Sequence, residues 1–322
     1  MTEIDEMLKY TAKRIAFMLL TFAIIVTIQF YLVKLLPQPD TTAFGKDADL
    51  VLRRREMLGY GKPISQQFAI FVKRVVTKWD WGVGETLKTG QDVAQYFASK
   101  LPPTMLVNFY TFFFAVPIGI AFGIFAALKK NTLPDHLIST GVMVFTSVPG
   151  FVVAFLVQYF LCFKLGWFPF LMKEGTDYFS WPMFVSIVPP MISMGFGFIA
   201  GLTRNVRAEL TEVLTMDYML LARTKGMTKR QATVRHALRN AMVPIFPGIV
   251  ASFLYMFSGS IIIENIFGIP GVGNLYLQSI QALDYNFFMM ISAFNTFLGL
   301  SIMIVVDLSY GVIDPRIRMG ER

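Results

Sequence analysis

Cysteine and histidine are almost missing from this chain. Its 322 residues hold one cysteine, Cys162, and two histidines, His136 and His236, which excludes an internal disulfide and a Cys- or His-rich metal centre. Cys162 falls inside an apolar run and is expected to act as a small buried hydrophobe. His236 sits in a basic stretch, where a solvated or helix-packing role is the plainer reading and a ligand role the sharper one. No G-x-x-x-x-G-K-[ST] run occurs, since Gly45-Lys46 and Gly61-Lys62 lack its flanks, so no P-loop for ATP is expected. There is no H-E-x-x-H, and no Ser, His and Asp set gathers at one depth from residues this sparse. The chain is expected to carry no catalytic residue, no metal and no cofactor of its own.

Charge is scarce as well, at 16% of residues, whereas 55% are hydrophobic and the mean hydropathy is +0.56. That balance is too apolar for a soluble domain of this length and predicts an all-α polytopic membrane protein. Six mostly apolar runs, at 15–36, 106–128, 138–163, 183–202, 243–263 and 287–306, each reach about the twenty residues that cross a bilayer at 1.5 Å per residue. Trp167, Phe168, Phe170, Trp181, Tyr285 and Phe287 crowd their ends, as rings seated at headgroup level do. The first run follows a positive amino terminus but is long for a signal peptide, and Leu35-Leu36-Pro37-Gln38 offers no small-residue cleavage site, so a retained helix is expected.

Lys and Arg in the short connections set the orientation. Lys9, Lys13 and Arg14, then Lys129 and Lys130, the eight basic residues between Arg204 and Arg239, and Arg316, Arg318 and Arg322 all fall on one side. Both termini are therefore expected in the cytoplasm. The net charge of +8 is accounted for by this bias and by anionic lipid, so membrane lipid and not nucleic acid is the expected polyanion partner. The 37–103 connection lies outside despite Arg53-Arg54-Arg55, because long loops are exempt from the rule. Phe68, Phe71, Val72 and Val75 suggest one amphipathic helix in it, followed by a turn at Trp79, Trp81, Gly82 and Gly84. The expected organisation is a first helix over 1–36, an extracytoplasmic cap over 37–103, a core over 104–308 with a cytoplasmic loop at 203–242, and a tail over 309–322.

The stretch DYMLLARTKGMTKRQATVRHALRNAMVPIFP, 217–247, is basic and helix-prone where an ordinary connection is short and turn-rich. Asp217 suits the positive end of a helix, Ala222 keeps one face narrow, and Gly226 fits a left-handed C-cap. Thr228 with Gln231 three residues later is a capping box that starts a second helix. This pattern fits a docking element or a structural loop. Polar residues in or near the runs are few: Asn108, Ser147, Gln158, Ser193, Ser258, Ser260 and Asn295, with Gln29. Each either lines a solute path or makes an interhelical hydrogen bond. Glu264 and Asp307 stand near run ends, where they reach an interface or pair within the bundle; no buried ionisable pair suggests a proton relay. The segment ENIFGIPGVG, with Glu264, Phe267, Pro270 and Gly271, is a surface or re-entrant loop on the outer side, either contacting solute or a binding protein or simply packing.

Asp217-Tyr218, Ala222-Arg223-Thr224-Lys225-Gly226, His236-Ala237-Leu238-Arg239-Asn240-Ala241 and Pro244 together resemble the cytoplasmic signature of ABC-importer permeases of the oligopeptide, dipeptide and nickel group. Leu58-Gly59, Lys62-Pro63, Gln67, the turn from Gly82 to Thr86, Leu101-Pro102 with Thr104, Ser147-Val148-Pro149, Glu264-Asn265-Ile266-Phe267, Pro270-Gly271-Val272-Gly273 and Asp314-Pro315-Arg316-Ile317-Arg318 extend the likeness to nearly the whole chain. The long loop after the first helix resembles the B-type subunit. The resemblance implies a type I importer permease fold with six transmembrane helices in a prokaryotic cytoplasmic membrane. Implied partners are a second, C-type permease, two cytoplasmic ABC ATPases carrying ATP and Mg, and an extracytoplasmic solute-binding protein. Asp217, Tyr218, Leu221, Ala222, Arg223, Lys225 and Gly226 would form the coupling helix. Leu220 and Leu221 depart from the Glu and Ala that many permeases have there. Peptide is the solute the resemblance favours. Nickel or another small solute is the alternative, with an ATPase-independent secondary transporter or a docking scaffold as readings from other classes.

Overall fold

Helix is the one regular element among the described residues, 3–39 and 48–313 of this computed structural model. The resembling stretch from Asp314 to Arg318 lies outside them. In order the helices are α1 (Glu3–Leu35), α2 (Ala48–Met57), α3 (Ile64–Lys78), α4 (Val93–Leu128), α5 (Leu133–Ser147), α6 (Gly150–Val157), α7 (Trp181–Val213), α8 (Asp217–Thr224), α9 (Lys229–Ala232), α10 (Leu238–Met242), α11 (Phe246–Leu254), α12 (Ile261–Ile266), α13 (Val272–Gln281) and α14 (Tyr285–Ile313). π-helical turns occupy Gln158–Lys164 and Thr233–Ala237.

Among the described residues four unbroken helices are long and apolar enough to cross a membrane: Lys9–Leu35, Val93–Leu128, Trp181–Val213 and Tyr285–Tyr310. Two bent pairs pass the same test together, Leu133–Ser147 with Gly150–Lys164 at 102° and Lys229–Met242 with Phe246–Phe257 at 54°, and bring the number of crossings to six when each is one broken span. Each break holds a proline, Pro149 within the 138–163 run and Pro244 at the start of the 243–263 run, which is interrupted again at 258–260. Val148 is extended, at φ −81° and ψ 127°, as the residue before a proline prefers. Pro149 then brings no amide to continue the ladder, so α5 stops and α6 restarts. Pro244 stands at the second break. Two other crossings outrun their apolar stretches. α4 begins at Val93, well before 106, and α7 continues to Val213, through the first part of the 203–242 segment expected as loop.

The described residues divide into two compact units, one of 3–39, 48–105, 257–265 and 269–304, the other of 106–256, 266–268 and 305–313. In the first unit, Phe30, Phe71, Trp81, Phe97, Leu275, Phe287 and Ile291 form the core. Phe287 is fully buried there, which corrects its expected place in an aromatic belt; Trp167 and Trp181, in the second unit, are exposed as expected. The cap holds two helices where one was expected. α3 carries the amphipathic pattern, burying Gln67 and Phe71, and α2 precedes it with Arg53, Arg54 and Arg55. Arg55 reaches Glu85 at 2.6 Å, and the Tyr60 hydroxyl donates to the same carboxylate at 3.3 Å. Trp79, left-handed at φ 54°, ends α3. Bridges from Val83 to Asp92 and from Gly84 to Thr89 pin the following turn.

In the second unit α4 lies directly on α7. A Cβ on Gly123 would stand 2.5 Å from that of Val206 and 3.0 Å from the Thr203 carbonyl oxygen. The Thr203 hydroxyl donates to the Gly119 carbonyl at 3.2 Å. Two glycines one turn apart thus let the backbones approach, as small residues do at membrane helix interfaces.

Candidate coupling site and outer loop

α7 turns into α8 through three residues whose amides bond back to it: Leu214 to Leu210, Thr215 to Glu212 and Met216 to Val213, at 3.0–3.2 Å. Met216 is extended at ψ 150° and Asp217 opens the first turn of α8, where a carboxylate complements the exposed amides. Met219 and Ala222, three apart on one face, are 6% and 7% exposed, whereas Leu220 and Leu221 are 67% and 56% exposed. Asp217, Arg223, Lys225 and Gly226 are exposed too, and Tyr218 is half-buried. Met219 and Ala222 pack with Ala127 of α4, Leu210 and Val213 of α7, and Ala232, Ala237 and Ala241. The small Ala222 thus serves close approach to its own chain; the sequence reading had it narrowing the face offered to a partner.

Both expected caps are present. Gly226 takes φ +90°, its amide donates to Arg223 at 3.0 Å, and the Met227 amide reaches the Ala222 carbonyl at 3.3 Å. This pair of bonds is the Schellman arrangement, and it closes α8 without a side chain. Thr228 and Gln231 make the capping box reciprocally, at 3.0 and 3.3 Å. The π turn at Thr233–Ala237 has a local reason. Ala232, Ala237 and Ala241 all face the same cluster, and the five-residue step between the first two needs one wide turn. Beside α8 an open depression of about 600 Å³ is lined by Lys130, Asp217, Arg223 and Lys229 over Ala127, Leu214, Met219 and Ala232.

A buried ion pair escaped the sequence reading, which found none. Asp135, in the first turn of α5, is 1% exposed. Its two carboxylate oxygens accept from Arg207 Nε at 2.6 Å and Nη2 at 2.9 Å. The Asn131 amide at 2.9 Å and the Ser139 hydroxyl at 3.3 Å complete its partners. The two residues are far apart in sequence and lie on different helices, so no local pattern announces them.

The outer loop is organised by Glu264. One oxygen accepts from the Thr104 hydroxyl at 2.8 Å, the other from the Asn274 amide at 2.9 Å, and the Thr104 oxygen accepts from the Val272 amide at 2.9 Å. Cβ atoms on Gly271 and Gly273 of the segment, and on Gly259 just before it, would stand 2.6, 3.1 and 2.9 Å from this carboxylate, which explains these three glycines. Burial raises the Glu264 pKa above the ordinary carboxylate value, and the hydrogen bonds from Asn274, Thr104, Gly273 and Ser260 pull against it. Glu264, Phe267 and Gly271 are buried and Pro270 is exposed.

A second carboxylate, Asp284, was overlooked. Fully buried, it accepts the amides of Glu85, Thr86 and Leu87 on one oxygen at 2.8, 3.0 and 3.1 Å. Its position just before the last apolar run is an N-cap signal, but nothing local reveals that its side chain holds a distant turn.

The polar residues expected along the runs divide. The Asn108 side chain donates to the Met256 carbonyl at 2.9 Å. Gln158 donates to the Ile266 and Phe170 carbonyls at 2.9 and 3.2 Å, and Ser193 to that of Pro189 at 2.8 Å. Ser147 is exposed, Ser258 and Ser260 are half-buried, and Asn295 Oδ1 is buried without a partner among the described residues.

The family described as "Binding-protein-dependent transport system inner membrane component" matches residues 119–319. The chain belongs to that family. As an inner membrane component of a binding-protein-dependent system it is a permease subunit and not itself an enzyme. It is similar to the dipeptide transport system permease protein DppB of Lactococcus lactis subsp. cremoris (strain MG1363), 31% identical over 97% of this chain and 100% of the relative. The glutathione transport system permease protein GsiC of Escherichia coli (strain K12) is 31% identical over 97% of this chain and 99% of its own length. The probable peptide ABC transporter permease protein y4tP of Sinorhizobium fredii (strain NBRC 101917 / NGR234) is 31% identical over 96% and 99%. Among solved structures, an inward-facing MetNI methionine ABC transporter chain aligns with TM-score 0.50 at 20% identity, over 71% of this chain and 98% of that one. The fold is thus that of an ABC transporter permease.

Proposed function

We propose that this chain is one of two pore subunits of an ATP-driven peptide importer, and that α8 is the helix through which cytoplasmic ATPases move it. The observation that carries this reading is the two-faced geometry of α8. One face is fixed by Met219 and Ala222 to the ends of α4 and α7, while Asp217, Leu220, Leu221 and Arg223 stand exposed on a helix closed at its C-terminal end by the Gly226 turn. Exposed leucines on a short, rigid helix suit insertion into a partner's groove. Displacement of α8 would pass into α7 through the elbow at 214–216. ATP and Mg would bind on two ATPase partners. The other pore half would be a C-type permease, and a soluble protein outside would deliver the solute. The Lys and Arg bias supports a cytoplasmic position for both termini and α8.

Peptide is preferred because the relatives are named for dipeptide, peptide and glutathione transport. Pro270 would offer the exposed outer-loop contact, with Glu264, Phe267 and Gly271 shaping the loop behind it. Ser147, Ser258, Ser260 and Asn295 would be the path residues, while Asn108 and Gln158 tie separate elements together and Ser193 bonds within α7.

Reconstitution tests the proposal. The chain, co-expressed with its native membrane partners and placed in proteoliposomes with the matching binding protein, is expected to take up labelled peptide only when ATP is supplied to the ATPases. Uptake that persists without ATPase partners, or a complex that moves nickel and not peptide, would contradict it.

A further inference from the structure

α5 is a fifteen-residue helix, all of it described, and the one residue it buries is the carboxylate Asp135. Its flank at Phe145 stacks on Phe196 of α7, ring centroids 4.5 Å apart, and the rest of its surface is exposed or half-exposed. A helix normally anchors itself with apolar side chains. This one is fixed at its start by a two-pronged ion pair to Arg207, and it ends at the break before Pro149, where the chain turns through 102°. Arg207 lies one turn before Leu210, and Leu210 with Val213 forms the seat of α8.

We propose that Asp135 and Arg207 are positioning residues for transport: the pair transmits displacement of α8, received by α7, to α5 and so to the broken crossing. The geometry suits a mechanical joint. Both carboxylate oxygens and two guanidinium nitrogens engage, so the fork resists rotation as well as separation. The Asn131 amide fixes the carboxylate to its own loop, where Asn131 is left-handed at φ 62°. On the other side α7 is locked to α4 at Gly119 and Gly123. A push on α8 thus enters a stiff pair of helices, and the ion pair is the polar connection through which α5 follows. Apolar contact alone would let α5 slide, because lipid offers an exposed face the same contacts as protein.

This inference rests on the docking reading of α8. Its test is the double variant Asp135→Asn/Arg207→Gln, which removes both charges together so that no buried charge is left unpaired. In the reconstituted complex, solute moved per ATP hydrolysed should fall about tenfold, within the 5–150-fold span of typical coupling energies, while the ATPases remain bound. Spin labels on α5 and α8 should show α5 no longer shifting with ATP. A native transport-to-hydrolysis ratio in the double variant overturns the proposal. So does loss of assembly, which would make the pair a folding element. Gly226→Pro in the same assay separates the two readings: if it leaves coupling intact, docking through α8 fails, whatever the double variant does.

Discussion

The Met227 amide bonds to the Ala222 carbonyl at 3.3 Å, and Gly226 at φ +90° is the residue that turns the chain to make this possible. An L side chain in the left-handed region costs about 1–2 kcal/mol. Gly226→Ala should therefore fray the end of α8 and weaken ATPase retention in mild detergent several-fold. The six crossings should insert normally, as read by protease protection of the vesicle-embedded chain.

Ala222 and Leu221 are neighbours with opposite surroundings, one buried and one exposed. Ala222→Leu overpacks the alanine cluster and should lower the stability of the purified chain by about 1–3 kcal/mol. Leu221→Ser should leave thermal unfolding within about 0.5 kcal/mol of the parent and still reduce ATPase binding. Equal effects on stability from both would contradict the two-faced geometry of α8.

Removal of the acceptor at position 284 orphans the three amides of residues 85–87. An unsatisfied buried amide costs about 1–3 kcal/mol, so Asp284→Ala should loosen the turn after α3. The readout is faster proteolysis or hydrogen exchange at 82–92 on the outer side, with α8 unaffected.

Glu264 titrates with a definite sign. Its folded-state pKa lies above the ordinary value, so the folded protein binds the proton more tightly than the unfolded chain. The stability this provides is present at acid pH and is lost as pH rises through the folded pKa. Relative to the non-titrating Glu264→Gln, the wild-type melting temperature should fall as pH rises past the ordinary carboxylate range. A difference that stays flat with pH would contradict the burial of this carboxylate.

Local chemistry was legible in the sequence and remote chemistry was not. The stop at Gly226 and the start at Thr228 depend on residues within one turn, and both appear in the structure as read. Hydropathy does not register the missing amide of Pro149 or Pro244, but the prolines themselves mark both breaks in the sequence. Apolar windows also began too late for α4 and ended too early for α7, whose backbones stay helical into polar sequence where neighbouring helices support them. Asp135 with Arg207, and Asp284 with the amides of residues 85–87, join residues distant in sequence, so spacing carries no trace of them. Ala222 was placed on the right helix but given the wrong neighbour, because a small residue marks close approach without saying to what.

The central claim is that the exposed face of α8 meets an ATPase. A photo-crosslinking amino acid at Leu221, activated in native membranes and followed by mass spectrometry of the adduct, tests it most directly, with the buried Ala222 position as control. The account predicts an adduct at 221 with a protein that carries a P-loop and little at 222. Lipid adducts alone at 221, or none, would contradict it.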